Sequence, residues 1–325
     1  MSYFDIDSKN TLVNAEEKEF IPLSHREQTG SLAKKYWHLH EIPAIGARYG
    51  FLKKPSSQKI ITCYAPKGGV LKTTQAYNIA RTLALNGIKT IVIGLDFQCS
   101  LTSILLPDIY SAEDITDISP IGGLYHYLFD KVPLSEIIRN TGIPTLDIIP
   151  ETAELILCDK KITAEHRREY LFNDRLIPNL SDYDVIIFDN NPGWSKLVEN
   201  ALVSSHHIIT PFGCDIETFR SVEKNLAAIF EFRDAMKLNW ESFTFIPTLL
   251  ETTRISQQIY SSYILNYKDY VTTEPIKRNI IGQEASLKMI SVLEHNKTSE
   301  LGGQYYRAIK EIWGKISPND QEIPA

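Results

Sequence analysis

The sequence predicts an α/β fold: a doubly wound, mostly parallel sheet flanked by helices, with a short N-terminal extension. Three observations carry that prediction. Short β-rich runs recur between Lys59 and Leu250, namely KIITCYA, KTIVIGLD, TLDIIPE, DYDVIIFD, HHIITPF and FTFIPTLL. Segments long enough for helices separate them, and strand–helix alternation builds parallel sheets. The runs are also apolar almost throughout, as strands covered on both faces must be.

Bulk properties agree. At 325 residues, 43% hydrophobic and 23% charged, the chain can hold one large α/β domain plus an appendage. No apolar run reaches the roughly 18 residues that span a bilayer, and MSYFDIDSKN lacks the pattern of a signal peptide. Cys63, Cys99, Cys158 and Cys214 are scattered without CxxC spacing. Neither a disulfide framework nor a zinc site is therefore expected, and a reducing cytoplasm is the expected location. The net charge of −6 argues against a protein basic over its whole surface but leaves room for a local basic patch.

Taken in order, residues 1–58 read as an N-terminal arm, partly helical and basic in its second half. Its first twenty-odd residues lean acidic and carry no period, which predicts loose order. SLAKKYWHLHEI, residues 31–42, predicts one short helix interrupted at Pro43. KKPSSQK predicts a linker into the main domain. Residues 59–315 carry the alternating elements, among them a helix over TTQAYNIARTLALNG that stops at Gly87. Residues 316–325 read as a polar tail.

APKGGVLKTT, residues 65–74, falls between the first strand of that domain and its helix. Ligands of doubly wound sheets bind at such carboxyl strand ends, where a loop feeds a helix N-terminus. Gly68 and Gly69 let the backbone curl so that successive N–H groups point at phosphate oxygens. Lys72 is placed to reach β- and γ-phosphates, and Thr73 to offer its hydroxyl to Mg²⁺. A bare KGG could equally be a plain turn; the lysine and threonine behind it favour phosphate. Asp96 and Asp189 close two further buried runs, where carboxylates hold Mg²⁺ or orient an attacking water. Either one alone would also serve as a helix cap. Leu71 is the exception, because such loops carry glycine there. The expected φ at this position is negative, which accepts a side chain, while its branched tail crowds the phosphates or the strand beneath. Overpacking of about 1–3 kcal/mol would weaken nucleotide binding by about one to two orders of magnitude without abolishing it.

The chain resembles the ParA family of partition ATPases, within the ParA/MinD group of deviant Walker P-loop NTPases, from about Lys59 to about Trp313. PKGGVLKTTQAYNIARTLALNGIKTIVIGLDFQCSLT is similar to the family's KGGVGKTT-to-DLDPQGN stretch, and YDVIIFDNNPG to its Walker B strand and turn. ALVSSHHIITPFGCDIETFRSVEKNL, TLLETTRISQQI and EPIKRNIIGQEASLKMISVLEHNKTSELGGQYYRAI follow in family order. The resemblance implies ATP and Mg²⁺ as cofactors and a nucleotide-binding stretch of Lys67, Gly68, Gly69, Val70, Leu71, Lys72, Thr73 and Thr74. It implies that Lys67 is the signature lysine, which reaches the partner's nucleotide in an ATP-dependent sandwich homodimer. Lys72 is then the P-loop lysine, Asp96 the water-activating aspartate and Asp189 the Walker B aspartate, with Thr73, Asp96 and Asp189 around the metal. Arg254 and Arg278, with neighbouring Lys277, match positions used for non-specific DNA binding, where guanidinium forks neutralise phosphates regardless of sequence. The alternative for each is a solvated surface charge. Further implications are a ParB-like centromere-binding partner that stimulates hydrolysis, no membrane partner, and a nucleoid-associated location in the cytoplasm.

The sequence departs from the family pattern at Leu71, at Gly94 (the first aspartate of DLD) and at Asn190–Asn191 before the Walker B proline. The polar groups that the chemistry needs are kept, so a working but weakened ATPase is expected rather than a disarmed scaffold of the same fold. A MinD-type membrane positioner would need a basic amphipathic last helix, whereas this chain ends in a polar acidic tail. An McdA-like positioner of a non-DNA cargo is a further alternative. A nitrogenase-reductase-like carrier would need cluster-ligating cysteines, and these four are not so placed. The N-terminal arm is short for the operator-reading domain of larger partition ATPases. It either supplements DNA contact through Lys34, Lys35, Lys53 and Lys54, or packs on the dimer, or is a solvated linker.

Overall fold

The computed structural model describes residues 2–4, 6, 8–29, 32–106 and 122–318. Ten strands are present among the described residues: β1 (His25–Thr29), β2 (Leu32–Tyr36), β3 (Lys59–Cys63), β4 (Thr90–Leu95), β5 (Arg139–Asn140), β6 (Leu146–Ile149), β7 (Val185–Asn190), β8 (His207–Gly213), β9 (Ser242–Leu250) and β10 (Ile276–Lys277). The last eight form one sheet in the order β10-β9-β8-β3-β7-β4-β6-β5. Every pairing in it is parallel except β5 with β6. All six β-rich runs are strands, and the structure adds the two short edge strands, whose two-residue lengths carry no periodic signal.

The core follows from the strands' composition. β4 and β7 are buried at every position, and successive side chains point to opposite faces. Ile61, Val92, Ile148 and Ile187 pack on one face; Ile60, Ile91, Ile93, Ile149 and Ile186 pack on the other. The helices among the described residues are, in order, α1 (Lys9–Glu17), α2 (Ile42–Tyr49), α3 (Lys72–Leu85), α4 (Ser100–Leu105), α5 (Leu124–Phe129), α6 (Leu134–Ile137) and α7 (Leu155–Thr163). After them come α8 (Lys196–Ser204), α9 (Ile216–Ala235), α10 (Arg254–Asn266), α11 (Ile280–Leu287), α12 (Val292–Asn296) and α13 (Glu300–Ile316). α3 is buried along nearly its whole length. Its Arg81 makes a two-pronged ion pair with Glu294 at 2.6 and 2.9 Å, and its Asn78 accepts the Val292 N–H at 2.8 Å. The helix that begins at Lys72 is therefore held rigidly against the C-terminal third of the chain. Gly87, with φ +81°, ends it as expected.

The apolar face of α13, including Tyr305, Ile309 and Trp313, lies in the main core. It is not displayed outward as a membrane-positioning helix would require. No helix among the described residues is long and apolar enough to cross a membrane. Residues 319–325 of the expected tail lie outside the described residues.

The N-terminal segment differs most from expectation. The helix predicted over residues 31–42 is not formed: β1 and β2 pair antiparallel there, with Glu27 opposite Lys34 and His25 opposite Tyr36. Tertiary partners override local propensity. Trp37 donates to the Pro22 carbonyl at 2.8 Å, and Lys35 pairs with Glu16 at 2.7 Å. The described residues of the first stretch are not loose either. Ser8 caps α1, whose Leu12 and Ala15 form a small core with Phe4, Ile21 and Ile45. Nor is the predicted linker a free one. Leu52 is 1% exposed and belongs to the main core, Lys53 O accepts the Trp313 indole N–H at 3.0 Å, and Lys54 pairs with Asp184 at 3.0 Å. At Gly46 an added Cβ would lie 1.8 Å from the Leu85 carbonyl oxygen, so α2 and α3 meet backbone to backbone.

Leu52→Ala should therefore destabilise the protein by about 2–4 kcal/mol. Urea unfolding midpoints measure this, and an unchanged midpoint would return residues 51–58 to the status of a passive linker.

Candidate functional site

The loop leaves the end of β3 and turns into α3 through two left-handed residues, Gly69 (φ 74°) and Leu71 (φ 68°). Leu71 corrects the expectation of a negative φ. Leu71 is the residue at which the chain turns from the loop into the helix, and it does so in the left-handed region. A leucine there costs about 1–2 kcal/mol relative to an unstrained backbone. Its side chain packs on the main core and lines a cleft of ≈ 500 Å³ together with Gly69, Thr74, Leu249, Ile276 and Asn279. Leu249 in the same wall is also left-handed, at φ 55°, and the pairing of β10 with β9 changes register beside it.

The loop is open to a ligand on the other side. A Cβ added at Gly68 or Gly69 would meet no atom within 4 Å. No side chain caps α3, so the positive end of a buried helix faces the loop. The Val70 carbonyl accepts the Thr248 hydroxyl at 3.1 Å, which ties the loop to β9.

β3, β7 and β4 are adjacent, so their carboxyl ends converge below the loop: Asp189 is in register with Cys63 and with Gly94. Asp189 is fully buried, and neither of its carboxylate oxygens has a hydrogen-bond partner. Burial pushes its carboxyl up to about 7, against the opposing pull of Lys72 and Thr73. Lys72 is itself only 7% exposed. Asp96, just past β4, accepts the Gln98 N–H at 3.1 Å. The structure thus gathers Lys72, Thr73, Asp96 and Asp189 around one point. An unpartnered buried carboxylate is costly, and a cation offsets that cost. Among the described residues no group of three or more His, Cys, Asp or Glu side chains could hold a metal. A hard cation here would draw its remaining oxygen ligands from phosphate and water, which is the habit of Mg²⁺. The residues present fit that ion.

Two sets of residues were missed in the sequence. Glu151, directly after β6, is 3% exposed. Burial, with Asp189 and then Asp96 nearby, pushes its carboxyl up to about 8. The signal was available, since TLDIIPE ends on a carboxylate as the runs before Asp96 and Asp189 do. The second set surrounds Lys67, whose ammonium lies 3.2 Å from Asp215, 3.2 Å from Glu217 and 3.0 Å from the Thr218 hydroxyl. Partial burial works against the charge on Lys67, but these partners outweigh it and hold its pKa above the ordinary value. In this chain Lys67 is engaged with its own α9. Of the two asparagines, Asn190 donates to the Cys63 carbonyl at 3.1 Å and Asn191 accepts the Ser195 hydroxyl at 3.2 Å.

The three basic residues expected at DNA share one sheet edge but differ in state. Arg278 pairs with Glu251 at 2.8 Å and Lys277 pairs with Glu300. Arg254 opens α10, is exposed, and has no ion pair among the described residues.

An AAA-domain family model matches residues 58–241. The chromosome partitioning protein ParA of Myxococcus xanthus (strain DK1622) is 25% identical over 223 residues, which is 68% of this chain and 76% of that protein. The sporulation initiation inhibitor protein Soj of Bacillus subtilis (strain 168) is 25% identical over 255 residues, 78% of this chain and 98% of that one. A putative plasmid partition protein of Borrelia burgdorferi B31, solved with bound AMPPNP, aligns with a TM-score of 0.63 at 25% identity, covering 80% of this chain and 99% of that one.

Because Asp189 titrates higher in the folded chain than in the unfolded one, its proton stabilises the fold at low pH, and that contribution is lost as pH rises through about 7. In metal-free buffer, Asp189→Asn should match the natural chain near pH 4 and exceed it by about 2–4 kcal/mol above pH 7. Denaturant melts at both pH values test this; equal stability at pH 8 would mean the carboxylate is not strained.

Proposed function

Because this chain belongs to the ParA family of AAA-domain ATPases, we propose that it is an ATP-driven partition protein that works as a homodimer on DNA. The observation that carries the proposal is the unpartnered Asp189 carboxylate beside Lys72 and Thr73, beneath a glycine loop with open space above it. The triphosphate lies along Gly68 to Thr74, with the backbone amides of the loop and of the first turn of α3 facing its oxygens. The adenosine occupies the neighbouring cleft, whose volume of ≈ 500 Å³ suits a nucleoside. Leu71 forms part of its apolar wall. Lys72 neutralises charge on the β- and γ-phosphates. Thr73 and Asp189, with Asp96 beside them, would hold Mg²⁺, which when bound offsets further phosphate charge. Asp96 orients a water for attack on the γ-phosphorus; the bond to the bridging oxygen breaks, and ADP and phosphate leave.

Lys67 completes the switch. Its pairs with Asp215 and Glu217 are partly exposed, and contacts of that kind contribute about 0–1 kcal/mol each. A polyanionic triphosphate in a partner subunit outcompetes them. Nucleotide binding in one subunit therefore draws Lys67 of the other across, and two copies close. The dimer presents Arg254, with Lys277 and Arg278, to DNA in the cytoplasm, and a ParB-like partner speeds hydrolysis and release.

The ion pairs of Lys277 and Arg278 favour a second reading, in which the same ATPase positions a protein cargo and DNA contact is weak. Arg254→Ala separates the two. On the DNA reading it weakens binding about uniformly across sequences and lowers the slope of log affinity against log salt by about one. An unaltered slope selects the protein cargo.

The natural chain should bind ATP in a calorimetric titration and turn it over, and Leu71→Gly, which relieves a backbone strain present with and without nucleotide, should change the affinity by less than about tenfold. No binding by the natural chain at millimolar ATP would overturn the proposal.

A further inference from the structure

Glu151 has a place in the site that none of the family's motif residues explains. It follows β6, which pairs with β4, the strand leading to Asp96. Its backbone N–H donates to Thr102 Oγ1 at 2.8 Å. Its carboxylate Oε2 accepts both the Thr102 N–H at 2.9 Å and the Thr102 hydroxyl at 3.0 Å. Thr102 is 1% exposed and lies in the first turn of α4. Between Asp96 and that turn the chain is short and closed on itself. The Asp96 carboxylate takes the Gln98 N–H at 3.1 Å, the Asp96 carbonyl takes the Cys99 N–H at 3.0 Å, and Cys99 is left-handed at φ 56°. Whatever holds Thr102 therefore holds Asp96.

The other side of Glu151 faces Gly94. A Cβ added there would lie 2.2 Å from Glu151 Cγ, 2.7 Å from Cδ and 3.1 Å from Oε1. The volume that a side chain at position 94 would fill is taken by the Glu151 carboxyl, reaching in from the adjacent strand. Gly94 is also where the sequence departs from the DLD pattern. The glycine and the buried glutamate are thus two halves of one exchange.

We propose that Glu151 is the positioning residue for Asp96: it fills the space left by Gly94 and clamps the first turn of α4, so that the Asp96 loop is held in register for hydrolysis. The inference rests on the ATPase reading above for its kinetic consequence but not for the clamp itself. A filler without a role would be apolar, since a carboxyl buried here must find hydrogen bonds or be costly. Glu151 Oε2 finds two on one residue, while Oε1, on the Gly94 side, has no hydrogen-bond partner. An amide at position 151 keeps an oxygen to accept both Thr102 donors, whereas alanine strands two buried donors at once, a loss that typically loosens a clamp by about ten- to a hundredfold.

The test compares five full-length proteins: wild type, Glu151→Gln, Glu151→Ala, Gly94→Asp and Gly94→Asp/Glu151→Ala. ATP turnover, ATP affinity by calorimetry and hydrogen exchange of the Thr102 amide are measured well below each melting temperature. Glu151→Gln should stay within about threefold of wild type in kcat. Glu151→Ala should lose about ten- to a hundredfold in kcat with ATP affinity within about threefold, and its Thr102 amide should exchange correspondingly faster. Gly94→Asp alone should be impaired by the clash, and the double variant should recover at least about tenfold over the worse single one. The proposal is overturned if Glu151→Ala turns over like wild type, if Glu151→Gln is as impaired as Glu151→Ala, or if the double variant recovers nothing. Should Glu151→Ala not fold, the double variant against Gly94→Asp makes the same comparison. If wild type shows no turnover, the ATPase reading fails by itself. Thr102 exchange then decides the clamp: slow in wild type and Glu151→Gln and fast without Glu151 supports it, and equal rates reject it.

Discussion

The arrangement depends on one costly feature, a carboxylate buried at the centre of the sheet without a hydrogen-bond donor. At Asp189 the pull of Thr73 and Lys72 acts against burial without cancelling it, and neither oxygen has a partner within hydrogen-bond geometry. The same strand would be more stable with an amide or an apolar group in that place. A structure that keeps such a group at the meeting point of a lysine, a hydroxyl and an open loop is poised for an incoming cation and polyanion. On the proposed ATPase reading, binding removes a penalty as well as adding contacts, which separates the empty and loaded states in energy.

The elements around Asp189 differ in how firmly they are held. α3 is fixed by Arg81, Asn78 and its burial between the sheet and the C-terminal helices. Lys67, by contrast, is held by partly exposed ion pairs that are weak enough to be exchanged. The Asp96 loop lies between these extremes, short and self-bonded, anchored through Thr102. Backbone strain is present here too: Leu71, Leu249 and Cys99 adopt left-handed conformations close to the loop or its cleft. Such strain persists only where surrounding packing over-determines it.

Much of the site was legible in the chain itself. The strands around the loop announce themselves as short apolar runs, and two of them end visibly on Asp96 and Asp189. The glycine loop sits between a strand and a helix within a few residues. What was not legible is what distant segments supply. Lys67 meets Asp215 148 positions away. Glu151 meets Thr102 49 positions away. The SLAKKYWHLHEI segment has an acceptable helical pattern, yet Leu32–Tyr36 within it is a strand because His25 to Thr29 pairs with it.

The sequence by itself determined the layered architecture, the positions of its main strands along the chain, and a glycine loop with carboxylates at neighbouring strand ends. Those properties follow from periodicity, glycine placement and strand-end carboxylates, all of which act over a few residues. Only the tertiary structure decided the backbone sign at Leu71, the docking of the N-terminal segment, the edge strands, the tether on Lys67 and the exchange between Gly94 and Glu151. Each of these is a balance of steric fit and burial between residues remote in the chain, and no local pattern carries it.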